Sequence, residues 1–176
     1  MNQAIKFPEN AAFGNTSDAL KDIHLENKNI AIYHRDINFL NDKLKIIDEK
    51  EISYKSNGSA ADIINALKTS SKNRLPANSL LIHDITEVLD LFQRISKAKS
   101  FRLSLESIST DMCRKFHADH NQLRLICTYV GSGTLWLPDD TEKELISKDE
   151  IQQVKTGSIA ILKGKLYPNA KPVFHR

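Results

Sequence analysis

Two cysteines in 176 residues, Cys113 and Cys127, are too few for a disulfide framework. A reduced, cytoplasmic setting fits that count best. No apolar run approaches the roughly 18 residues of a membrane span, so no membrane is expected as a partner. Residues 1–14 are polar and lack an apolar signal core, which argues against secretion. Lysines are scattered among acids, the net charge is only +3, and no basic run carries interleaved aromatics. Nucleic acid is therefore not an expected partner. Internal repeats and low-complexity segments are also absent.

What remains is an ordinary globular composition, 40% hydrophobic and 27% charged. The length suits one domain, residues 1–176, with a sizeable core. Its texture changes near Ser100. Residues 4–23 are weakly patterned and read as a partly ordered arm. Ile30 to Tyr33 reads as a short strand. Asp36 stands where an N-cap would, with Ile37, Leu40, Leu44 and Ile47 following at helical spacing. Ser59 and Asp62 open a second helix through Ile63, Ile64 and Leu67. Asp84 and Glu87 open a third, with Ile85, Val88, Leu89, Phe92 and Ile95 on one face. Residues 1–100 are thus the mainly helical portion.

Residues 101–176 read as β-rich. Phe101, Leu103 and Leu105 alternate with polar residues. Leu123 to Val130 is a more buried strand. Gly131-Ser132-Gly133 is a turn before Thr134 to Leu137, which Pro138 ends. Ser158 to Leu162 and Val173 to His175 complete a set of short strands. Such a set predicts an antiparallel sandwich or small barrel, with the helices packed on its outside.

The chemistry concentrates in His117-Ala118-Asp119 and in His175, 58 positions later. On an extended segment residues two apart share a face, so His117 and Asp119 can aim at one ion. A returning strand can bring His175 alongside and complete a 2-His-1-carboxylate metal site. Cys113, His117 and His120 form a competing set, suited to zinc. Both cysteines also read as small buried hydrophobes. Arg124 alternates away from Leu123 and Leu125, toward solvent or a polar cavity. Trp136 reads as core or as a pocket wall, and Tyr129 as a packed strand residue or a hydrogen-bonding one. His34, Arg35 and Asp36 read as a strand exit and helix cap. His24 and His83 have no evident partners.

Met112 to Asp119, Leu123-Arg124-Leu125, Thr128-Tyr129, Gly131, Gly133-Thr134 and Trp136-Leu137-Pro138 together resemble an uncharacterised bacterial family, domain of unknown function 1826. Ala160 to Gly164 and His175-Arg176 resemble it too. The likeness is densest over residues 101–176. It implies a layout similar to the antiparallel, cupin-like double-stranded β-helix of iron oxygenases. It also implies a link to zinc homeostasis, through the genes that neighbour the family's own.

By that resemblance His117, Asp119 and His175 would be the metal ligands. Arg124 with Tyr129, Gly131 to Gly133, and Gly157 with Ser158 to Leu162 would match the intervening strands and turns. Such oxygenases hold the 2-oxoglutarate carboxylate on a basic residue some way beyond the distal His. The sequence ends one residue after His175, so the chain is truncated or the anchor is absent. Arg124, Lys163 and Arg176 are the substitutes, with Tyr129 as a further cosubstrate contact. A guanidinium clamps a carboxylate in bidentate fashion, which favours arginine.

Two functional expectations follow. One is a non-haem oxygenase using iron(II) and 2-oxoglutarate on a small-molecule or protein substrate. The other is a non-catalytic zinc-binding or metal-handling protein. Imidazole suits both metals, so the ligand set alone does not choose.

Overall fold

The computed structural model describes residues 8–40, 44, 52–69, 75, 79–108, 115–138 and 151–176. Among these, eight strands are present: β1 (Ala11–Gly14), β2 (Ile30–Tyr33), β3 (Ser53–Gly58), β4 (Phe101–Glu106), β5 (Leu123–Cys127), β6 (Leu135–Trp136), β7 (Gln152–Gln153) and β8 (Ile159–Lys163). Two α-helices, α1 (Ala60–Thr69) and α2 (Leu80–Ser96), join two 3-10 helices, Ser17–His24 and Asn38–Leu40. Contacts divide the chain into two compact units, Met1–Asp36 with Cys113–Arg176, and Ile37–Met112.

The first unit contains a four-stranded sheet in the order β1-β2-β8-β5. β1 runs parallel to β2, while β8 is antiparallel to both β2 and β5. Register aligns the side chains in rows. Phe13, Ile32, Ala160 and Ile126 form one row, and Ala11, Ile30, Leu162 and Arg124 the next. The apolar members of these rows pack into one core with Trp136, Val154 and Val173. Arg124 ends the second row, on the same face as that core.

The opposite face carries Ala31, Ile161 and Lys163. The Ser17–His24 helix covers it, burying Leu20 and Ile23 completely. The arm expected at residues 4–23 is therefore ordered from β1 onward. Leu20 and Ile23 sit three apart, the period at which 3-10 side chains stack. Lys163 Nζ donates to the Leu25 carbonyl at 2.8 Å, satisfying an acceptor just past the end of that helix.

A second ladder shares the core. β6 pairs antiparallel with β7, and isolated bridges link His117 to His175 and His175 to Trp136. The order across it is the His117 segment, the His175 segment, β6, β7. Directly opposed residues point the same way, so His117, His175 and Trp136 form one row.

In the second unit β3 and β4 form an antiparallel pair, from Ser53 opposite Glu106 to Gly58 opposite Phe101. β4 thus belongs with the helical unit, so this division does not follow the change of texture at Ser100. Ser59 and Asp62 form the expected capping box of α1, each side chain accepting from the other's backbone N–H at 3.2 Å. α2 begins earlier than Asp84. Ser79 is its N-cap, accepting from the Ile82 N–H, and Asp84 is buried inside the helix. Ala60, Ile63, Leu89 and Phe101 form this unit's core. The helix expected from Asp36 begins as the 3-10 turn at Asn38–Leu40, Leu44 is helical and buried, and the other residues from 41 to 47 lie outside the described residues.

Candidate metal centre

His117 and His175 face each other as a hydrogen-bonded antiparallel pair. Each backbone N–H donates to the other's carbonyl at 3.0 Å. Their ring centroids are 4.7 Å apart. Asp119, two residues on, returns its carboxylate to the same side. One ligating atom from each of His117, Asp119 and His175 lies within 4.8 Å of the others. His175 Nε2 is 3.6 Å from Asp119 Oδ2, and His117 Nε2 is 3.9 Å from Oδ1.

The backbone around Asp119 is clamped by the exit of β8. Gly164 donates to the Gln122 carbonyl, Lys165 to that of Asp119 and Leu166 to that of Asn121, at 2.8–3.0 Å. A Cβ on Gly164 would collide with the Asn121 carbonyl oxygen and come within 2.9 Å of that of Asp119. The absence of a side chain there sets the position of the carboxylate.

Burial sets His175 and Asp119 apart, while the His117 side chain is 43% exposed. His175 is 3% exposed, and neither ring nitrogen makes a well-formed hydrogen bond among the described residues, the Val173 backbone being merely close. Asp119 Oδ2 and the indole Nε1 of Trp136, the next residue in the row, lack one too. An unsatisfied buried polar group costs about 1–3 kcal/mol. A cation held by the trio would take one His175 nitrogen and an oxygen of the Asp119 carboxylate. Burial pushes the His175 imidazole below its ordinary value, against the Asp119 carboxylate and the Val173 backbone, which raise it. The neutral ring is the form that ligates a metal.

Arg124 stands beside Asp119. Its Nε is 2.8 Å from Oδ2, an ion-pair contact set off the hydrogen-bonding direction, so that oxygen still lacks a donor. The Arg124 side chain is 47% exposed and that of Asp119 only 12%, which places the guanidinium at the mouth of the site.

Lys163 and Arg176, two of the other expected cosubstrate residues, lie elsewhere. Lys163 is on the far face of the sheet, beneath the Ser17–His24 helix and 4.5 Å from the Tyr167 ring centroid. Arg176 alternates away from His175, and its guanidinium lies over the Phe116 ring at 5.0 Å. Tyr129 follows the end of β5, five positions beyond Arg124. Of the competing zinc set, His120 is exposed and Cys113 lies outside the described residues. Cys127 is half-buried, 3.5 Å from an Arg35 guanidinium nitrogen. His34 Nδ1 pairs with the Ser158 hydroxyl at 3.2 Å, and His24 Nδ1 with that of Tyr167 at 2.8 Å.

Among the described residues, no helix is long and apolar enough to cross a membrane. A family model described as "Protein of unknown function (DUF1826)" matches residues 14–176. No curated protein and no solved structure matches the chain.

Proposed function

The chain belongs to the DUF1826 family, and we propose that His117, Asp119 and His175 hold one divalent metal ion in the active site of an oxygenase of the iron(II)/2-oxoglutarate type. The observation that carries this reading is the convergence of His117, Asp119 and His175, with one ligating atom of each within 4.8 Å of the others and His175 buried. Two imidazoles and a carboxylate occupy three coordination positions and leave the rest open. Iron(II) bound there would supply oxidation of a C–H bond with 2-oxoglutarate and oxygen as co-reactants.

The chain's own groups account for the remaining tasks. The backbone pairing of His117 with His175 fixes the two rings, and the clamp from Gly164 to Leu166 fixes Asp119. Trp136 and the apolar core close the inner side against water. Arg124, at the mouth, is the cation able to receive an anionic cosubstrate. On this reading the sheet β1-β2-β8-β5 and the ladder through His117, His175, β6 and β7 are the two layers of a double-stranded β-helix. Ligands from adjacent strands at one end of a shared core support it.

The experiment is anaerobic titration of iron-loaded protein with 2-oxoglutarate, followed by oxygen consumption. Saturable binding that depends on Arg124 and His175 is expected. Metal binding with no response to 2-oxoglutarate would transfer the site to metal handling without catalysis.

A further inference from the structure

Arg124 does more than wait for a ligand, because its one close acidic partner among the described residues is the carboxylate assigned to the metal. Two neutral imidazoles and one carboxylate give the trio a charge of −1, and Arg124 cancels it. A divalent ion therefore enters a site that is already neutral. The guanidinium also sits on Oδ2 at 2.8 Å, which leaves Oδ1 as the unencumbered oxygen. Bidentate coordination, which large oxygen-seeking cations such as calcium favour, is obstructed.

We propose that Arg124 sets the affinity and selectivity of the metal site, keeping divalent binding weak and confining Asp119 to one coordinating oxygen. The inference rests on the metal reading above. The sign of the effect follows from geometry. An outer group that orients a ligand through an aligned hydrogen bond strengthens binding, and its loss weakens it. The Arg124 contact is off that direction, so its charge opposing the ion outweighs any hold it has on the carboxylate. Removing the charge should then tighten binding.

The test is calorimetric titration of zinc and of calcium into the metal-free full chain, for the parent, Arg124→Gln, Arg124→Lys and His175→Ala. Arg124→Gln is expected to bind zinc about 10- to 100-fold more tightly than the parent, the scale on which outer-shell groups act. It should also gain calcium binding. Arg124→Lys, which keeps the charge, should resemble the parent. A damaged fold would lower affinity, so tightening is not explained by damage. Unchanged or weaker zinc binding in Arg124→Gln, beside a parent that binds and a His175→Ala that does not, would overturn this inference alone. Equally weak binding by the parent and His175→Ala would overturn the metal reading and this inference with it.

Discussion

His117 and His175 exchange both backbone hydrogen bonds at 3.0 Å, although 58 positions separate them in the chain. In antiparallel pairing such opposed residues project side by side. The two imidazoles are therefore brought together by main-chain geometry, before any ion is considered. Asp119 joins them because an extended chain returns to the same face every second residue.

His117 and His120 separate the two ligand sets. With zinc at about 100 times its Kd, a single site stabilises the fold by about 2.7 kcal/mol. That increment should vanish in His117→Ala and persist in His120→Ala, which changes an exposed ring outside the cluster. Thermal unfolding with and without zinc measures it. Loss in both variants would favour the cysteine-containing set.

Gly164→Ala tests the clamp on Asp119. The added methyl meets the Asn121 and Asp119 carbonyl oxygens, so the ligand loop must move. Overpacking of this kind costs about 1–3 kcal/mol. Chemical denaturation should show that loss, and metal affinity should fall with it. Full stability together with full affinity would mean that the loop yields freely.

Lys163→Met separates a structural lysine from a cosubstrate anchor. The change leaves the Leu25 carbonyl without its 2.8 Å donor. The Lys28 N–H still donates to that carbonyl at 3.2 Å, so the loss expected is that of one hydrogen bond, about 0.5–1.5 kcal/mol. Metal and 2-oxoglutarate binding should be untouched, because Lys163 faces away from the centre. Loss of cosubstrate binding at unchanged stability would reverse the assignment.

His34 predicts a pH dependence. Its pKa is lowered from 6.5, first by burial and then by the charge of Lys155. The unfolded chain therefore takes up this proton before the folded one does. The contribution of neutral His34 is complete above about 6.5 and is lost as pH falls from there toward the folded value. Between pH 7.5 and 5.5 the parent should lose more stability than His34→Gln, which keeps a side chain able to pair with Ser158. Parallel profiles for the two proteins would contradict this.

The sequence displayed some of this architecture directly. The alternation at His117 and Asp119 gave the shared face, and the distal His175 gave the third member of the cluster. Alternation also turned Arg124 away from Leu123 and Leu125, but only the register with Leu162 shows which side that is. The same rule applied along β8 separates Lys163 from Ala160 and Leu162, and so from the site. Residues 8–24 escaped because their order depends on the parallel pairing of β1 with β2 and on the sheet face that the Ser17–His24 helix covers. The role of Gly164 was invisible for a similar reason: its neighbours, Asn121 and Asp119, are distant in sequence. Asp84 resembled a helix start by composition, yet Ser79 supplies the cap and the helix continues through it.

The most direct test of the account is elemental analysis of protein purified without a chelating tag, after incubation with iron(II) or zinc and removal of free metal. The parent is predicted to retain one ion per chain, and His175→Ala and Asp119→Ala, folded by circular dichroism, to retain none. Equal metal content in all three proteins, or none in the parent, would contradict it.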